Sequence, residues 1–173
     1  LNRMAEAREK RRYKQDLIYR MGSSVNAEAI RAVEELRRHG WLTDGSLRAA
    51  RLWDANLEGA EMPFSNLSCA KLANANLSSA RLWGGNLSDA LVWEVNFSNA
   101  DLANSDLSNA ILHNANLSNA DLRYANLSNA LLRYANLTGV DFLGANLIDA
   151  DFEGATLPNG DTWRPGYDMS IFT

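Results

Sequence analysis

Residues 121–138 read DLRYANLSNALLRYANLT, so ten residues pass and almost the same ten return. A leucine stands at every fifth place, Leu122, Leu127, Leu132 and Leu137, each with an alanine two residues before it. Outward from this stretch the register holds from Leu47 to Leu157. Every position whose number ends in 2 or 7 is Leu, Phe, Met or Val, and the departures from leucine are Met62, Val92, Phe97, Phe142 and Phe152. Positions ending in 0 or 5 carry only Ala, Ser, Gly or Val. Ala50 to Asn159 makes 22 uninterrupted fives.

An α-helix does not place every fifth side chain inside, because five residues advance about 500° and the leucines would drift about 140° around the axis. A flat strand fails as well, since its faces alternate with period two and five is odd. Three extended residues followed by a corner do work. The small residue points in, the next points out, the leucine points in, and the last two turn the chain. Those corner places are rich in Ser, Asn, Gly and Asp, which tolerate tight turns. If each five turns the chain by about 90°, four close a square of 20 residues that stacks on the last at roughly 4.8 Å. The 22 fives then make about five and a half coils, roughly 26 Å tall. Burying one leucine is worth roughly 2 kcal/mol, and about twenty of them offset the entropy of ordering the chain.

The tandem Ala-Asp/Asn-Leu pattern resembles the pentapeptide repeat family. Its clear instances are Ala75-Asn76-Leu77, Ala100-Asp101-Leu102, Ala115-Asn116-Leu117, Ala120-Asp121-Leu122 and Ala125-Asn126-Leu127. The resemblance covers residues 50–159 and implies an all-β solenoid, a right-handed quadrilateral β-helix. It does not imply one function, because that family is functionally diverse.

The ends of a solenoid expose strand edges that must be covered. Asn26 is expected to cap a helix running AEAIRAVEELRRH, with Gly40 as its stop. The stripe Ala29, Ile30, Val33 and Leu36, with Trp41 and Leu42, is expected to lie on the first coil. Residues 1–22 read as a helical arm, or a linker to an upstream domain, broken from the cap at Gly22. The chain begins at Leu1 rather than Met, which also suggests such a domain. Residues 23–45 form the N-terminal cap, 46–159 the β-helix, and 160–173 a C-terminal cap carrying Trp163, Tyr167, Ile171 and Phe172.

Charge is uneven. Residues 1–40 hold ten Lys/Arg against six Asp/Glu; residues 41–173 hold seven against fifteen, for a net −4. The basic run REKRRYK at 8–14 is expected to be a solvated connector rather than a contact for nucleic acid or membrane. A lone cysteine, Cys69, excludes an internal disulfide framework and favours a cytoplasmic setting. Membrane contact is expected only through an upstream segment.

Residues 20 apart share a face, so the outward side chains can be sorted. Two opposite faces are polar ladders of Asn and Ser. A third stacks Arg51, Lys71, Leu91, Ile111, Leu131 and Asp151, with Trp53, Trp93, His113, Arg133 and Tyr134 beside them. Its aliphatic column stands where solvent prefers polar groups, and Trp, Tyr and Arg are frequent interface anchors. We read Trp53, Leu91, Trp93, Ile111, Leu131, Arg133 and Tyr134 as a face for a protein partner or for self-association. The opposite face, with Trp83, Asp101, Asp121, Arg123 and Tyr124, is a second candidate.

No catalytic, cofactor or metal site is expected. His39 and His113 lie far apart in the sequence, and Gly84-Gly85 is a corner variant rather than a phosphate loop. The expected function is a non-catalytic interaction or scaffold module within a larger protein. The alternative comes from the family resemblance: some members bind DNA gyrase by imitating duplex DNA. Charge argues against it, since B-DNA carries about 15 charges in roughly 26 Å while residues 41–173 net −8.

Overall fold

A computed structural model describes residues 2–173. From residue 51 to residue 156 the chain winds as a four-sided parallel coil. Each ladder residue pairs with the residue 20 further on: Arg51 with Lys71, Lys71 with Leu91, and so on up to Asn136 with Thr156. Each side of the square holds one such residue. Its own N–H donates down the axis, as from Asn116 to the Val95 carbonyl at 2.9 Å, and the following N–H donates up, as from Leu117 to the Asn136 carbonyl at 2.8 Å. Cooperation between coils therefore replaces the long strands of an ordinary sheet.

The inward positions match the expected register. From Leu47 to Phe142 the residues ending in 2 or 7 are buried, and the small residues between them leave room for each bulky neighbour. At the corners the second turn residue adopts a left-handed backbone throughout, from Ala49 to Gly154. Asn and Asp hold many of these places because they tolerate that conformation. The turn is closed by a hydrogen bond across it, such as the Ala115 N–H to the Leu112 carbonyl at 3.0 Å.

The polar ladders are hydrogen-bonded stacks. Each amide in the column Asn76, Asn96, Asn116 and Asn136 donates to the side-chain oxygen one coil below, at 3.1 to 3.4 Å. The same oxygens accept from the backbone N–H two residues on, as at Ser118, 3.1 Å from Asn116. The ladder residue thus fixes both its corner and its neighbour.

Two helices close the lower end: α1 (Asn2–Met21) and α2 (Asn26–Arg38). Ala29, Ala32, Val33 and Leu36 of α2 are buried with Trp41 and Leu42, and Ile30 packs beside them. Gly40 takes a left-handed backbone, and the bonds from Gly40 to Arg37 and from Trp41 to Leu36 end the helix. Asn26 does not cap α2. Val25 holds the cap position, and the Asn26 amide instead donates to the Glu58 carbonyl of the first coil at 3.0 Å. Two first-coil donors that lack a coil below are met by the cap, Asn56 by the Ser23 carbonyl and Asn66 by the Leu42 carbonyl, both at 2.9 Å.

The C-terminal part of α1 joins this cap. Leu17 and Met21 are buried in the same core as α2, and Lys14 reaches Asp44 at 2.7 Å. The core therefore runs across the helix break at Gly22, while residues 3–12 stay exposed. At the upper end the chain folds back. Thr162 pairs antiparallel with Thr156, and Trp163, Tyr167, Met169 and Phe172 pack against the core.

Candidate functional site

The four walls are set by the corner geometry, so each outward side chain has a fixed address. On the first candidate face Leu91, Ile111 and Leu131 are consecutive ladder residues, one above another. All three are half-buried, because each branched side chain leans on the next coil. Trp53, Trp93 and Tyr134 stand at the adjoining corners with 52%, 40% and 62% of their surface exposed. The Lys71 ammonium lies 5.6 Å from the Trp53 ring, a cation over an aromatic face. His113 occupies the same column as Trp93 and Arg133, and its Nδ1 is buried without a hydrogen-bond partner.

Arg133 is already engaged by its own wall. It donates from Nε to Asp151 at 2.6 Å and approaches Glu153 at 3.0 Å. The Arg133 hydrogen bond holds the Asp151 carboxyl below its usual range, helped by the bond from the Glu153 N–H. The first face is therefore apolar in its middle coils and charge-paired at its upper end.

The second face carries the column Glu61, Arg81, Asp101, Asp121 and Asp141. Arg81 bonds Glu61 at 2.9 Å. Arg123 bonds Asp121 through Nε at 2.9 Å and lies 3.7 Å from Asp141. That hydrogen bond lowers the Asp121 pKa and raises the Arg123 pKa. Trp83 is packed against Phe64, with ring centroids 4.2 Å apart, and Tyr124 is 61% exposed.

Sequence reading missed a rule that ties the exposed aromatics to the frame. Phe64, Tyr124 and Tyr134 all sit at left-handed corners, and the residue one coil above each is glycine. A Cβ added at Gly84, Gly144 or Gly154 would stand 2.7, 2.6 or 2.5 Å from the ring below. The Cδ1–Cε1 edge of each ring takes the space that a Cβ on the next coil would fill, which fixes where the ring is displayed. The 20-residue spacing of aromatic and glycine was the available signal.

No group of metal-ligating side chains is found among the described residues, and no helix among them is long and apolar enough to cross a membrane. His39 stacks on Trp41 at 4.3 Å in the helical cap, well apart from the wall that carries His113. Concavities occur between α1 and α2 and beside the tail at Asp161 and Tyr167.

A family model described as pentapeptide repeats matches residues 46–84, 86–123 and 125–161 in 8 copies. Among solved structures, the pentapeptide repeat protein Rfr23 from the cyanobacterium Cyanothece 51142 is 30% identical, with a TM-score of 0.62 over 66% of this chain and 91% of that one. HetL, a pentapeptide repeat protein involved in heterocyst differentiation regulation in Nostoc sp. strain PCC 7120, is 33% identical over 66% of this chain and 67% of its own, with a TM-score of 0.34. QnrB1, a plasmid-mediated fluoroquinolone resistance protein, is 22% identical over 59% of this chain and 58% of its own, with a TM-score of 0.50. No significant match was found among curated proteins. These matches place the coil in the class of right-handed quadrilateral β-helices.

Proposed function

The chain belongs to the pentapeptide repeat family, and from that premise we propose that it is a non-catalytic scaffold whose first face docks a protein. One observation carries the reading: the unbroken outward column Leu91–Ile111–Leu131, bordered by the exposed rings of Trp53, Trp93 and Tyr134. Apolar exposure that is grouped on a flat, cross-bonded wall offers area without loss of side-chain freedom on binding. Arg133 and Lys71, held by their neighbours, make a preset charged rim. The walls themselves are convex corners and flat ladders around a filled interior, so they do not gather groups for catalysis.

Imitation of duplex DNA is the weaker reading. The acids of the two distinctive faces are in part neutralised by Arg81, Arg123 and Arg133. A DNA-like surface needs unpaired charge at close, even spacing.

The test is retention of proteins from lysate on the immobilised chain, beside Ile111→Glu and Trp93→Ala. Proteins held by the native wall and lost with Ile111→Glu support the reading. An identical retained set for all three would overturn it.

A further inference from the structure

On the polar walls each Asn or Asp ladder residue closes its own corner by accepting from the N–H two places on, as Asn116 does from Ser118 at 3.1 Å. The first wall has Arg51, Lys71, Leu91, Ile111 and Leu131 in the same places, and none carries a side-chain oxygen. The N–H groups of Trp53, Ala73, Trp93, His113 and Arg133 therefore find no acceptor among the described residues. The usual bond returns at Asp151, which accepts from the Glu153 N–H at 3.0 Å. Donors without acceptors thus follow one another up this wall, one per coil, each aimed where an Asn oxygen stands on the polar walls. Ala73 is buried, and the other four residues are exposed or half-exposed.

Charge is unmet on the same wall. Among the described residues Arg48, Arg51 and Lys71 form no ion pair, whereas Arg81, Arg123 and Arg133 all do. Lys71 stands one coil above Arg51, and Arg48, at the corner before them, donates to Ser68 at 3.4 Å. The acid nearest Arg51 in sequence, Asp54, accepts from Asn74 instead. Asp89 and Glu94 border the wall at the level of Leu91, and Asp151 and Glu153 surround Arg133 at its top. Negative charge brought to this wall is therefore favoured only at its two lowest coils.

We infer that the protein docked on the first face presents a segment with carboxylates at one end and apolar side chains beyond them; this rests on the docking role proposed above. The carboxylates pair with Arg51 and Lys71, and one oxygen accepts from the Trp53 N–H, in the place that Asn116 Oδ1 holds toward Ser118. The apolar side chains cover Leu91, Ile111 and Leu131 and lie against Trp93. The segment does not join as an added strand, because the ladder N–H groups of this wall are spent between coils. Leu91 donates to the Ala70 carbonyl at 2.9 Å and Val92 to the Ile111 carbonyl at 3.0 Å. Affinity therefore comes from side chains. Direction comes from charge, since a carboxylate set over Leu91 meets Asp89 and Glu94.

Peptides selected from a random display library on the immobilised whole chain, then synthesised and titrated against it, test this. The expected peptides join acids to an apolar stretch, bind more weakly as salt rises, and shift the Trp53 amide resonance. Arg51→Glu and Lys71→Glu each weaken them about tenfold or more. Exchanging the peptide acids for Lys restores binding to those variants. Glu61 and Asp151 already fill equivalent ladder places, so the fold accepts an acid there. Peptides lost with Ile111→Glu but indifferent to Arg51→Glu and Lys71→Glu overturn this inference and leave the docking role standing. Peptides indifferent to Ile111→Glu, or a library that yields none, overturn both. A chain that pairs with itself and parts on Arg51→Glu gives the wall to a second copy and overturns the inference as well.

Discussion

At the scale of the residue, the corner is where sequence meets backbone strain. A left-handed conformation costs a non-glycine residue roughly 1–2 kcal/mol, yet Asn and Asp fill many of these places and glycine few. The hydrogen bond across the turn offsets that cost at each corner, joined below the last three corners by a bond to the next coil. Glycine is required only where a neighbour forbids a Cβ. Gly144→Ala is expected to lower stability by about 1–3 kcal/mol because the new methyl meets Tyr124. Most of the loss returns when Tyr124→Asn is added. Gly59→Asn, at a similar backbone angle with open space around it, is expected to be neutral or mildly stabilising. Denaturation midpoints of these variants check the set; an equal loss at Gly59 and Gly144 would show that backbone angle rather than the ring decides.

Carboxylates on the walls give a second residue-scale prediction. Asp121 and Asp151 titrate below the ordinary value of about 3.9 because Arg123 and Arg133 bond their charged forms. A depressed folded-state pKa stabilises the protein above the unfolded value. That contribution disappears as the pH falls through the depressed value. Both pairs are substantially solvated, so the effect is small at physiological salt. In Arg133→Ala the Asp151 carboxyl is expected to titrate closer to the ordinary value, followed by carbon NMR of the side chain. An unchanged titration would mean that the backbone N–H of Glu153, rather than the guanidinium, holds the charge.

At the scale of the element, the repeat was legible and the cap was legible only in part. Period five is incompatible with either regular element alone, so the leucine and alanine columns dictate a coil with corners. The stripe of α2 was equally plain, since Ala29, Val33 and Leu36 share one face. The docking of α1 was not. Its only buried apolar residues are Leu17 and Met21, in a helix otherwise dominated by charge, and its partner surface exists only after α2 has packed. Asn26 shows the same limit. Its sequence context suggests a helix cap, but a carbonyl of the first coil competes for its amide. Met21→Ala is expected to cost about 2–5 kcal/mol, although the residue lies outside the repeats. Thermal unfolding of this variant would show it; a loss well under 1 kcal/mol would mean that α1 is not part of the cap.

At the scale of the whole molecule, the walls were legible as addresses but not as contacts. Stacking at 20 residues put Leu91, Ile111 and Leu131 in one column directly from the sequence. It did not show that Arg133 is held by Asp151 and Glu153, or that Lys71 lies over Trp53, because those contacts depend on side-chain reach between coils. The half-exposed upper end around Leu147 and Ala150 was invisible for a different reason. Whether the tail covers one side or all four depends on where it turns at Pro158 and Asn159, a choice that the periodic part does not constrain.

The stacking itself is tested most directly by the distance between spin labels at positions 53 and 153 in a Cys69→Ser background, read by pulsed electron resonance. These positions lie 100 residues and five coils apart on one wall. The stacked coil predicts a single narrow distribution centred near about 24 Å, from about 4.8 Å per coil. A broad distribution, or a separation far from that value, would contradict the four-sided coil and everything built on it.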